Sequence, residues 1–79
     1  MAILGKALDR ESYEWLAGHA ADILEAVEAE VAAGRTPEQI RLFVIRRTGR
    51  DELAQRCEQA ARHIKAMTVE KYHRFTTRL

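Results

Sequence analysis

The 79 residues are 47% hydrophobic, include thirteen alanines, one proline and one cysteine, and carry a formal net charge of +1; this fits one domain, residues 1–79, with about two dozen larger apolar side chains for its core. No run of 18 apolar residues is present to span a membrane, no like-charge block or Ser/Pro/Gly tract signals disorder, and no internal repeat allows a solenoid. The small net charge conceals a division, because residues 1–34 set two cations against seven carboxylates, a net of −5, while residues 35–79 set eleven cations against five, a net of +6.

Residues 1–8 form a short apolar segment with Lys6 inside it rather than ahead of it, unlike a secretory signal. A cytoplasmic location is expected. Asp9 then reads as a helix cap, with Leu8 and Tyr13 placed to close a hydrophobic staple around it. The first predicted helix covers about 10–33, because Tyr13, Leu16, Ala20, Ile23, Val27 and Val31 recur at steps of three and four and the stretch ends at Gly34. Within it Gly18 marks a kink or a close approach by a neighbouring helix, since a mid-helix glycine is unfavourable by about 1 kcal/mol relative to alanine.

Thr36-Pro37-Glu38-Gln39 opens a second helix over 37–48. Thr36 caps, Pro37 occupies a first-turn position that needs no amide, and Gln39 reaches back to complete a capping box. Gly49 closes that helix in the left-handed conformation. Ile40, Phe43 and Val44 make one apolar face while Leu42 and Ile45 point elsewhere, so the helix is expected to be covered on more than one side. A third helix over 51–67 carries Leu53, Cys57, Ala60, Ile64 and Met67 at steps of 4, 3, 4 and 3, a narrow heptad-like seam. Met67 and Tyr72 flank Thr68 as a staple flanks a cap, so 69–77, with Val69, Tyr72 and Phe75, is either a short fourth helix or a prolongation of the third. Glu52 with Arg56, Glu58 with Arg62 and Glu70 with Arg74 are spaced to pair along these segments.

The expected fold is therefore an all-α, compact bundle of three or four helices, with the second helix wedged between the first and third. Chemistry-bearing constellations are sparse. Cys57 lies on the core seam, with no Cys or His at a zinc-like distance, and behaves as a small hydrophobe in a reducing compartment. His19, His63 and His73 are scattered, no glycine-rich phosphate loop exists, and the chain is small for an enclosed pocket. No enzymatic activity, metal or cofactor is expected.

Three features point instead to docking. Asp22, Glu25 and Glu28 follow one another at spacing three with no Lys or Arg between Arg10 and Arg35, an acidic stripe that calls for a basic answer. Arg46, Arg47, Arg50, Arg56 and Arg62 supply a basic face, and arginine suits forked contacts with carboxylates. Trp15 falls outside the main apolar stripe of its helix, and Leu42 and Ile45 add an apolar surplus, so these three are expected interface anchors unless the terminal apolar segments fold over Trp15. The expected function is a protein–protein interaction and assembly module, its partner another protein or further copies of itself, most simply as a homo-oligomer, with no membrane contact. The alternative is a small DNA- or RNA-binding regulator, using a helix-turn-helix outline over 39–64. The acidic first helix and the nearly neutral total charge weigh against it.

Overall fold

A computed structural model describes the backbone of residues 2–77 and the side chains of residues 7–68. Four helices follow in order: α1 (Ala2–His19), α2 (Ala21–Ala32), α3 (Pro37–Thr48) and α4 (Asp51–Thr77). The chain is an all-helical bundle, as expected, although the elements differ from those read in the sequence at three places.

The first difference is where α1 starts and stops. The helix begins at Ala2, so Asp9 lies inside it rather than capping it, and Leu8 is half exposed instead of closing a staple. The predicted helix over 10–33 is in fact two, separated at Ala20, whose φ of −149° and ψ of 55° leave the helical region. The pairing of α1 with α4 explains the position of that break. Ser12 bonds to Gln59, and Arg56 lies over Trp15, so the two helices run antiparallel, and extending this register sets Ala20 level with Asp51, where α4 begins. A straight continuation would run off the end of α4 into solvent; the turn brings Leu24 and Val27 back into the core, where both are buried. Gly18 admits no close approach, since nothing lies within 4 Å of a Cβ built there; the kink expected as the alternative falls two residues later, at Ala20.

By contrast α3 has the predicted bounds, because its ends are set locally. The Gln39 amide donates to Thr36 Oγ1 at 3.2 Å, the Thr36 amide donates to Gln39 Oε1 at 2.9 Å, and Pro37 fills the first turn. At the other end Gly49, at a φ of 68°, donates its amide to the Ile45 carbonyl at 2.7 Å. Then α4 runs unbroken through the segment that was open between two readings. Thr68 donates its hydroxyl back to the Ile64 carbonyl at 2.9 Å, a mid-helix bond rather than a cap. The side chains of Val69, Tyr72 and Phe75, and the Glu70 and Arg74 pair, lie outside the described residues.

The third difference concerns the middle of the bundle. The second predicted helix is not wedged between the other two: α4 is central, and α1, α2 and α3 all pack on it, while α1 and α3 do not meet among the described residues. The seam read in the sequence is what α4 offers them. Leu53, Ala54, Cys57, Ala60, Ala61 and Ile64 are all buried, with Met67 packed at the edge, and four of those six buried side chains are Ala or Cys, which let neighbouring helices approach closely. Leu16 from α1, Leu24 and Val27 from α2, and Ile40 and Val44 from α3 complete the core. Among the described residues one polar side chain is buried, that of Ser12, whose hydroxyl donates to Gln59 Oε1 at 2.5 Å.

Two glycine substitutions should separate these local effects. Gly18→Ala should raise unfolding free energy by about 0.5–1 kcal/mol, since it adds helix propensity in open space. Gly49→Ala should lower it by about 1 kcal/mol or more, because its left-handed φ strains any side chain. Urea unfolding of both variants, followed by circular dichroism, measures the two signs.

Candidate interaction surface

Two of the three large apolar side chains left exposed among the described residues lie on the outward side of α3, the third being Leu8. Pro37, Ile40 and Val44 face the core, whereas Leu42 and Phe43 remain 49% and 39% exposed. This reverses part of the expectation, since Ile45 is the partly buried residue packed on the core and Phe43 is the one that stands out. The cause is the placement of neighbours. Helix α3 rests broadly on α4 but touches α2 only slightly, so the side turned to α2 is left open. Phe43, on that side, is thereby left open and was missed; Leu42, which does not line this opening, keeps the exposed position predicted for it, and Ile45 does not.

Between α2 and α3 the opening forms a groove of about 410 Å³. Its apolar lining comes from Ile23 and Val27 of α2 and Ile40 and Val44 of α3, with Phe43 at its mouth, and Ala26 and Ala29 are too short to reach across. Asp22 and Arg47 line its two walls but form no ion pair with each other. A shallower depression lies on the other side of Phe43 and is bounded by Glu30, Arg35, Gln39, Leu42 and Arg46.

The charged residues singled out in the sequence divide into those that the bundle engages and those that it leaves open. Asp22, Glu25 and Glu28 are all exposed, and no ion pair to any of them exists among the described residues. Asp22 alone of the three lines the groove; the other two follow round α2 toward its far flank. Arg46, Arg47 and Arg50 are likewise exposed and without ion pairs among the described residues, although Arg47 lies over the Phe43 ring at 5.1 Å. Arg62, by contrast, bonds to Glu58 at 2.6 Å and reaches Glu38 at 3.5 Å. Arg41, which the sequence reading passed over, bonds Glu58 at 3.2 Å and approaches Asp51 at 3.9 Å. These contacts tie α3 to α4, and the expected basic face is thereby reduced to the three arginines at the end of α3. Alternating charge on two facing helices was the available signal for the Arg41 link. Glu38 titrates below the usual carboxylate range, chiefly through its backbone hydrogen bond at the start of α3 and further through Arg62.

Trp15 is not an open anchor. It is partly buried against the core, His19 stacks on it with ring centroids 4.9 Å apart, and the Arg56 guanidinium lies 4.4 Å from its centroid. Arg56 thus covers the ring rather than pairing with Glu52, which shows why that spacing alone did not yield an ion pair. Cys57 is fully buried, and desolvation pushes its thiol from 9.0 up to about 11. No group of three His, Cys, Asp or Glu side chains is gathered as metal ligands among the described residues, and no helix there is long and apolar enough to cross a membrane. No protein-family model, curated protein or solved structure matches the chain.

Two measurements test this arrangement. Arg56→Ala should shift Trp15 emission to longer wavelength and lower stability by about 1 kcal/mol, the worth of a partly desolvated cation–π contact plus the lost packing. For Cys57 the sign follows from its raised pKa: the unfolded thiol ionises first, so its contribution is intact below pH 9 and is lost between about 9 and 11, at up to about 1.4 kcal/mol per pH unit. Cys57→Ala should flatten that part of the stability profile, and the native thiol should react slowly with a thiol reagent.

Proposed function

We propose that the chain is a small protein–protein assembly module that docks through the outward side of α3 and the adjoining flank of α2. The observation that carries the reading is the coincidence, on one surface, of exposed Leu42 and Phe43 with three arginines that the described residues leave unpaired. An apolar centre rimmed by open charge is the composition of a docking patch. The acidic stripe Asp22, Glu25 and Glu28 gives the same molecule the opposite sign on a neighbouring helix, so association is steered by complementary charge.

The helix-turn-helix alternative finds less support. In that outline α4 would be the reading helix, yet α1, α2 and α3 all pack on it. Its first turn is acidic, with Asp51 and Glu52 at the end that approaches bases in such motifs. Arg41 and Arg62, which would meet phosphates, are held by Glu58 and Glu38.

Sedimentation velocity at about 0.05 and 0.5 M salt, with and without a labelled DNA duplex, tests the proposal. Association of the protein is expected at low salt, weaker at high salt, and reduced when Arg46 and Arg47 are both changed to Glu. A protein that stays monomeric at high micromolar concentration but shifts the duplex, and loses that shift with the same two substitutions, would overturn it in favour of nucleic-acid binding.

A further inference from the structure

We infer that the occupant of this surface is a second copy of the chain, docked as a closed dimer in which the two α3 helices cross antiparallel about a two-fold axis near Leu42 and Phe43. The inference rests on the assembly reading above and specifies its partner. Its first support is position. Helix α3 covers Pro37–Thr48, and its midpoint falls between residues 42 and 43, the two large apolar side chains it exposes. A two-fold axis through that midpoint sets Leu42 of one copy against Phe43 of the other, and the reverse, so the apolar centre is covered by itself.

Charge is the second support. Along α3 the cations Arg46 and Arg47 occupy the last turn and Glu38, which its own Arg62 reaches at 3.5 Å, the first, and antiparallel pairing places each basic end beside the other copy's Glu38 rather than its arginines. The same rotation carries Arg46 to Gln39, in the depression that Glu30 bounds together with Arg35 and the copy's own Arg46. Glu30 is held by its own Arg35 through Oε2 at 3.2 Å, so Oε1 remains to accept from the partner. Parallel pairing would bring the three arginines of one copy against the three of the other. Antiparallel helices also align their end charges favourably.

Extent is the third. A stable pair needs about 800 Å² from each copy, more than one face of a twelve-residue helix supplies. The groove beside α3 enlarges the contact, because Phe43 stands at its mouth and the two-fold sets the second copy over both grooves at once. A heterologous contact of the acidic stripe on the arginines would instead leave an open surface at each end and build chains of copies.

The test uses full-length protein in a Cys57→Ala background with Leu42→Cys or, separately, Glu25→Cys, oxidised mildly at low salt and run without reductant. Leu42→Cys should give a covalent dimer, since residue 42 lies next to the axis, while Glu25→Cys should remain single, and sedimentation of the protein without cross-linking should stop at two copies. Phe43→Glu, at an exposed position, should keep the circular dichroism of the parent and raise the dimer dissociation constant about 30-fold or more. Association that persists without the Leu42→Cys cross-link, or that grows beyond two copies, would overturn the two-fold dimer and leave the assembly module standing. A protein that does not associate at all would overturn both.

Discussion

The bundle depends on the close approach that α4 permits along Ala54, Cys57, Ala60 and Ala61. Each of these side chains is fully buried, and their small size brings three other helices to one axis, where Leu16, Leu24, Val27, Ile40 and Val44 can all reach it. A chain of this length cannot surround each helix with others, so burying α4 leaves the remaining helices one-sided. Larger residues on the seam would push the surrounding helices outward and open the core. The polar link of Ser12 to Gln59 and the ion pairs of Arg41 and Arg62 lie along the same helix, which fixes the register of α1 and α3 on it.

That arrangement also explains why the open surface is on α3. Helices α1 and α2 are consecutive and pack on each other as well as on α4, whereas α3 is held mainly by α4. Its far side has no neighbour among the described residues, and on the flank facing α2 the short side chains of Ala26 and Ala29 leave a groove unfilled. Leu42 and Phe43, at the centre of that side, bring the apolar content to where folding does not use it.

What could be read from the sequence and what could not divides along a physical line. The seam of α4 and both ends of α3 were legible, because heptad spacing, a capping box and a glycine stop are encoded within a few residues. The break at Ala20 was legible only in part. Gly18 signalled a kink two residues too early, and the length available on α4 decides where the chain must turn, a tertiary effect that overrides propensity. The same holds for the surface. The acidic stripe and the arginines of α3 were identified from spacing, but which arginines remain open depended on Glu58 and Glu38 capturing Arg62, and on Trp15 capturing Arg56. The exchange of Phe43 for Ile45 followed from α2 standing off, which no periodicity contains.

The doubly anchored ends of α3 have a consequence for any binding event on its surface. Thr36 and Gln39 hold its first turn, and at its last turn Thr48 donates to the Val44 carbonyl at 2.8 Å while accepting from the Arg50 amide at 3.1 Å. Each end therefore has side-chain bonds that oppose the fraying to which a short helix is prone. A helix already rigid in solution loses little backbone entropy when another surface closes over it, and only side chains such as Leu42 and Arg46 have freedom left to lose. The ordering that a disordered recognition segment undergoes on contact has here been completed during folding, which favours fast, reversible association over a contact of small area.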